Sequence, residues 1–282
     1  MGWGKGQISK PIMVTGKVDR TSYLGGDNYF LNVTVPKGYF KDLGRFVRLR
    51  AWPKMGQGPG TLLDRPFSIH YSSERNLGFL IREVGPGTQI LTSLRKGDEV
   101  RVIGPLGRGL DELEPDFLNE KWYLVAGGAG LGPMGSMACV LGGRRAKLFY
   151  GERSGQQQIK HNDLGMLFVN LLSGGWENIV PTTEDGTGYG LKGLVTEPLI
   201  QSLLEEKRSI IGCGPKGLLA ALAKIARKHG VKYLACAEER MACGLGVCLS
   251  CSLPKLDGSN FRVCQQGPLV DGLSLDWERI RA

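Results

Sequence analysis

Four cysteines stand in the pattern C-x4-C-x2-C, followed by twelve residues and a fourth cysteine: Cys243, Cys248, Cys251 and Cys264. Thiolates are soft ligands, and this is the plant-type spacing that holds a [2Fe–2S] cluster. Three ligands crowded into one loop suit a cluster. Structural zinc sites pair their cysteines in two separate knuckles, so zinc is the alternative. Gly244 and Gly246 fit the same reading, because a loop around a small cluster turns tightly and aims its amides at anionic sulfur. Three further cysteines lie outside the spacing. Cys139 falls on a predicted helix as packing. Cys236 stands at the entrance to the cysteine loop and reads as structural. Cys213, in Cys213-Gly214-Pro215, follows a predicted strand and precedes a helix, where an α/β sheet delivers residues to ligands.

Two groups of motifs could hold nucleotides. Gly127-Gly128-Ala129-Gly130-Leu131-Gly132-Pro133 follows a strand and opens a helix, as a dinucleotide loop does, although it departs from G-x-G-x-x-G. Glu152, after the next strand, is a candidate ribose partner; Arg153 and Ser154 beside it would instead suit a 2′-phosphate. Upstream, Arg65-Pro66-Phe67-Ser68 offers a guanidinium for a phosphate and a serine for the N5 edge of a flavin. Taken alone it reads equally as a turn with a surface arginine. Gly85-Pro86-Gly87-Thr88 would present amides to a pyrophosphate at a helix start. His70, His161 and His229 stand in no metal spacing and read as structural.

These residues need elements to place them. Residues 12–18, 28–35, 44–51, 67–71, 78–84 and 99–103 are short β-rich runs bounded by Gly, Pro, Asn or Asp, which predicts a small antiparallel barrel. After the turn-rich Gly104-Pro105-Leu106-Gly107-Arg108-Gly109 the pattern alternates. Strands are expected over 121–126, 146–150, 177–181 and 208–211, and helices over 133–141, 160–172, 195–204 and 215–229, as in an open parallel α/β sheet. The predicted organisation is mixed β and α/β: a barrel over 1–105, a nucleotide-binding α/β domain over 106–235 and a small cluster subdomain over 236–282.

Composition excludes several classes. Of 282 residues, 41% are hydrophobic and 22% charged, as in globular proteins, and the 43 glycines have no collagen period. No apolar run reaches the roughly 18–20 residues of a membrane span, and the first residues lack the apolar centre of a signal peptide, so a cytoplasmic location is expected. An odd cysteine count fits a disulfide framework poorly. The net charge of +9 lies mostly in residues 1–105, yet no nucleic-acid motif accompanies it, and no nucleic-acid partner is expected.

Together, R-P-F-S at 65–68, G-P-G-T at 85–88, G-P-L-G-R-G at 104–109, G-G-A-G-L-G-P at 127–133, Y-G-E-R-S at 150–154 and C-G-P at 213–215 resemble, in order, the ferredoxin-reductase-type flavoproteins. The ending E-E-R-M-A-C-G-L-G-V-C-L-S-C, with Cys264 after it, is similar to the electron-transfer subunits of heteromeric NAD-dependent dihydroorotate dehydrogenases. Cys236-Ala237 stands where a serine is common in that family, shortly before the E-E-R-M stretch. The resemblance implies FAD on Arg65, Pro66, Phe67, Ser68, Leu80, Ile81, Arg82, Gly87 and Thr88. It also implies NAD(H) as co-substrate along Gly128, Gly130 and Cys213, with Ser68 and Cys213 nearest the chemistry, and the cluster on the four cysteines. NAD(H) delivers electron pairs as hydride and a [2Fe–2S] cluster takes single electrons, so a flavin must lie between them. The implied partner is an FMN-containing catalytic subunit in pyrimidine biosynthesis, in a heterotetramer; no base for deprotonating dihydroorotate is evident in this chain. Subunits of sulfhydrogenases and anaerobic sulfite reductases share the module and form the alternative. A zinc-bearing, non-catalytic interaction module is the more distant one.

Overall fold

The structure, a computed structural model, describes residues 11–37, 44–52, 63–112, 119–141, 146–168, 171–172 and 174–280. Strands β1 (Ile12–Gly25), β2 (Asn28–Thr34), β3 (Phe46–Arg50), β4 (Arg65–Ser68), β5 (Tyr71–Ser72), β6 (Asn76–Arg82) and β7 (Glu99–Leu106) make one antiparallel sheet ordered β4-β3-β7-β1-β2-β6-β5. Helix α1 (Pro86–Thr92) lies in the β6–β7 connection. Side chains alternate across a strand, so Leu31, Val33, Val47, Leu49, Phe79, Ile81, Val100 and Val102 meet in one core. The strand expected over 67–71 lies two residues earlier, because Pro66 pairs with Arg48 of β3. A proline has no amide to give, and β4 is the edge strand, where none is needed.

The remaining chain is built on β8 (Trp122–Gly127), α2 (Met134–Leu141), β9 (Ala146–Glu152), α3 (His161–Phe168), β10 (Ile179–Thr183), β11 (Leu191–Lys192), α4 (Thr196–Glu205), β12 (Ser209–Cys213), α5 (Lys216–His229) and β13 (Tyr233–Cys236). Their sheet runs β11-β10-β9-β8-β12-β13, all parallel. Alternate residues of β8 serve opposite faces. Trp122, Leu124 and Ala126 pack with Met134, Met137 and Leu141 of α2, while Tyr123 and Val125 pack with Leu199 of α4 and Leu222 of α5. The helix expected over 160–172 is the shorter His161–Phe168; positions 169 and 170 lie outside the described residues.

The cysteine-rich end forms a hairpin of β14 (Ser252–Pro254) and β15 (Asn260–Arg262), then α6 (Val263–Gln266) and β16 (Leu269–Asp271). Strand β16 returns to pair antiparallel with β13, stitching the segment onto the large sheet. Cys251, Leu253, Phe261, Val263 and Cys264 thereby join the same core as α4 and α5. Among the described residues no helix is long and apolar enough to cross a membrane.

Candidate functional site

Strand order reverses between β8 and β12, so the loops after these two strands diverge and leave a crevice at their carboxyl ends. A cavity of about 450 Å³ opens there, lined by Arg82, Gly128, Glu152, Arg153, Thr196 and Pro215 among others. Gly128 lines the cavity, whereas Gly130 lies behind it. A Cβ on Gly130 would stand 2.2 Å from the carbonyl oxygen of Cys213, so only glycine lets the two loops meet. His70, from the barrel, holds the same loop: its Nδ1 donates to the Gly132 carbonyl at 2.9 Å. A carbonyl only accepts, which fixes the tautomer with the proton on Nδ1. Burial lowers the His70 pKa to about 4, so the ring is neutral near pH 7.

The carboxylate considered for a ribose is already engaged. Glu152 is buried, pairs with Arg82 from β6 and accepts from the Tyr150 hydroxyl at 2.9 Å. Burial pushes its carboxyl above the usual range, against the pull of the Arg82 charge. Arg82 also donates to Asn28 Oδ1 at 3.3 Å and to the Gln157 carbonyl at 3.2 Å. It therefore joins barrel to sheet at the rim of the cavity.

A second cleft, of about 400 Å³, lies between the two domains. Pro66, Phe67 and Ser68 form one wall; Glu238, Glu239 and Met241 are on the other. Arg65 lies over α1: a Cβ on Gly87 would fall 2.2 Å from its guanidinium carbon. Among the described residues Arg65 makes no ion pair, and its Nη1 donates to the Leu63 carbonyl at 3.1 Å. The Thr88 hydroxyl is occupied with the turn, accepting from the amides of Val84 and Gly85. At the start of α1, Pro86 has no amide and Gln89 donates to the Gly85 carbonyl at 2.9 Å, so Gly87 and Thr88 are the first-turn amides with no carbonyl inside the helix. Leu80 and Ile81 stand differently: Leu80 faces the α/β core and Ile81 the barrel core. Cys213 pairs in register with Cys236, which lines the cleft, and its Sγ lies 3.8 Å from Glu238 Oε1. The Cys236 thiol and burial push Cys213 well above the ordinary thiol range. It is a neutral thiol near pH 7, with no thiolate to act as nucleophile.

The four cysteines of the motif are gathered in one loop and its return. Each sulfur accepts an amide: Cys243 Sγ from Leu245 (3.3 Å) and Cys248 (3.4 Å), Cys248 Sγ from Cys243 (3.5 Å), Cys251 Sγ from Cys264 (3.5 Å) and Cys264 Sγ from Gly246 (3.2 Å). Amides aimed at every sulfur are what an anionic cluster needs. Among the described residues no three His, Cys, Asp or Glu side chains converge as on a single ion. Cys251 and Cys264 are buried, Cys243 is half-buried and Cys248 exposed. Hydrogen bonding, first from the Ser250 hydroxyl at 3.1 Å, holds Cys248 down at about 6. Burial and the neighbouring Cys251 push Cys264 up to about 12. Sequence reasoning missed Arg48, whose guanidinium donates to the Cys243 carbonyl, and the Arg82–Glu152 pair. Neither has a local motif, because each joins residues far apart in the chain.

An antiparallel flavin-type barrel, a parallel sheet with a crevice at its switch point, and a four-cysteine loop beside the cleft define a ferredoxin-reductase-like fold with an iron–sulfur domain. Solved structures bear out the fold. That of an NADH-dependent reduced ferredoxin-NADP oxidoreductase superposes with a TM-score of 0.77 at 23% identity, covering 94% of this chain and 91% of its own. The ferredoxin reductase of carbazole 1,9a-dioxygenase gives 0.62 at 22%, covering 78% and 67%. Residues 238–276 match the iron–sulfur cluster binding domain of dihydroorotate dehydrogenase B. The electron transfer subunit of dihydroorotate dehydrogenase B (NAD(+)) from Clostridium acetobutylicum is 31% identical over 232 residues, 82% of this chain and 85% of that protein. Its counterpart from Caldanaerobacter subterraneus is 33% identical over 213 residues, 74% and 79%. The chain belongs to the family of dihydroorotate dehydrogenase B electron transfer subunits.

Proposed function

We propose that this chain passes electrons between NAD(H), FAD and a [2Fe–2S] cluster, to or from an FMN-containing dihydroorotate dehydrogenase subunit in the cytoplasm. The observation that carries this reading is the cysteine loop, in which every sulfur accepts an amide, set against a cleft walled by Pro66, Phe67 and Ser68. When bound, the flavin supplies the step between two-electron and one-electron chemistry. Residues 1–105, 106–235 and 236–282 serve as the flavin, nucleotide and cluster units.

The chain's own residues have defined tasks in this reading. Arg65 and the amides of Gly87 and Thr88 hold the flavin phosphates, and Pro66, Phe67 and Ser68 its ring. The backbone of Leu80, Ile81 and Arg82 lines the cofactor. Gly128 and Gly130 shape the nicotinamide path, and neutral Cys213 walls it without competing as a nucleophile. Cys243, Cys248, Cys251 and Cys264 hold the cluster. Around them Leu245, Val247 and Leu249 are 52%, 80% and 56% exposed, and Leu249 holds φ 60. Apolar side chains kept at the surface on strained backbone suit docking of a second subunit close to the cluster.

Anaerobic purification, with flavin and iron quantified and visible spectra taken before and after NADH, is the first test. Near one FAD and two irons per chain, bleached by NADH, are expected; a colourless protein containing zinc ends the reading. Co-expression with the catalytic subunit then tests the partner: dihydroorotate-dependent reduction of NAD⁺ must appear only with both chains. The whole-chain fit to a ferredoxin-NADP oxidoreductase structure supports a second reading, a reductase subunit of another complex. An NADH-bleached cluster that no dihydroorotate dehydrogenase subunit reoxidises would favour it.

A further inference from the structure

We infer that Arg48 is a positioning residue for electron passage: one buried guanidinium ties the cluster loop to the flavin-motif strand and sets a positive charge beside the cluster. The inference rests on the reading that the four cysteines hold a [2Fe–2S] cluster. Arg48 lies in the middle of β3, directly across from Pro66 of the flavin motif. Its side chain is 8% exposed and reaches in two directions. Nη1 donates to the carbonyl of Cys243, the first cluster cysteine. Nη2 donates to the Asp64 carbonyl at 3.4 Å and lies 3.6 Å from Asp64 Oδ2, in the residue preceding Arg65. A single side chain thus joins the start of the cluster loop to the start of the flavin motif, 195 residues apart in one case and 16 in the other.

Two details point the guanidinium toward the loop. A Cβ on Gly244, where φ is +69, would stand 2.6 Å from Arg48 Cδ, so the loop closes down on the arginine stem and needs glycine there. Nε of Arg48 is buried without a hydrogen-bond partner among the described residues. An unpaired buried donor costs stability, and a site that keeps one next to a ligand loop gains from the charge it carries. Asp64 does not cancel that charge, because it also pairs with Arg101: two guanidiniums share one carboxylate. A cluster gains a negative charge on reduction, so net positive charge nearby favours the reduced form.

The test compares R48Q and R48K in the full-length, cluster-loaded chain, matched for flavin and iron. The cluster's one-electron potential is read by redox titration with electron paramagnetic resonance, and anaerobic mixing with NADH times cluster reduction against flavin reduction. R48Q is expected to lower the reduction equilibrium constant about tenfold, which for one electron is about 59 mV. R48K keeps the charge and is expected to stay near the wild-type potential. A lysine cannot span both acceptors, so its cluster line shape shifts and cluster reduction lags flavin reduction several-fold. Wild-type potential, line shape and relative rate in both variants would overturn the inference. If R48Q assembles no cluster, R48K decides alone, and a wild-type line shape and rate there would sink the proposal. A wild-type chain with no cluster signal refutes the underlying reading instead.

Discussion

The chain has two glycine-rich loops that are built in different ways. The nucleotide loop, Gly127–Gly132, is pressed between the sheet and the barrel: Gly130 touches the Cys213 carbonyl and Gly132 is held by His70. Its form is set by the protein around it. The cysteine loop, 243–251, is exposed over Leu245, Val247 and Cys248, and many of its internal bonds end on sulfur. Its form is set by what the sulfurs bind. The first loop is therefore expected to keep its shape when empty, and the second to depend on its ligand.

The largest effect separates the two outright. Cys251→Ala is expected to abolish the cluster, with iron falling to near zero and the visible iron–sulfur bands lost. FAD content should hold, because the barrel core is built from other residues, and far-ultraviolet circular dichroism should change little, because Cys251 lies only in the core on the α4–α5 side of the sheet. Loss of flavin together with iron would show that the two loops are not independent.

Gly130→Ala is expected to injure the other loop. The Cβ meets backbone, which cannot swing aside, so about 1–3 kcal/mol or more of overpacking strain follows. For a chain of this size that is a drop in Tm of roughly 2–4 °C per kcal/mol, together with weaker NADH saturation. The cluster spectrum should be unchanged. An unchanged Tm would show that the loop yields more easily than its packing implies.

His70 sharpens the comparison through pH. Its folded pKa of about 4 lies below the ordinary imidazole value of 6.5, so the folded state binds fewer protons than the unfolded one between those values. The contribution is fully present above pH 6.5 and is lost as pH falls toward 4, by about 3 kcal/mol in all. His70→Phe should remove that part of the acid slope in Tm measured from pH 7 to 4. Parallel slopes in the two proteins would contradict it. The cysteine loop is tied to the barrel by Arg48 rather than by an imidazole, so its spectrum should not follow this window.

The smallest effect is a tuning one. Ser250→Ala removes the hydroxyl at 3.1 Å from Cys248 Sγ and should leave the cluster in place. Its potential is expected to fall by less than about 59 mV, a change under tenfold. A redox titration in which the potential rises would reverse the role given to that hydroxyl.

Legibility in the sequence followed chain distance. The cysteine spacing, the 127–133 loop and the alternation of strands and helices are local patterns, and all three reappear as elements. The strand at Arg65–Ser68 was misplaced by two residues because its position depends on pairing with β3. Strands β13 and β16 went unread: each is short, and β16 becomes a strand only by returning to β13. Glu152 shows the same limit at the site. Its place at the end of β9 suits a ribose partner, but the barrel sends Arg82 to meet it.

By itself the sequence determined which groups this protein has for the proposed electron chemistry: four thiols in one spacing, an arginine suited to a phosphate and glycine turns short enough to approach ligands. Tertiary structure alone decided which of them meet. Leu80 and Ile81 are adjacent yet serve two different cores, because successive side chains in a strand point to opposite faces. Arg48 reaches Cys243 across 195 residues because β3 and the cysteine loop are folded against each other. Spacing along a chain carries ligand chemistry, whereas the path between ligands depends on distances that only packing sets.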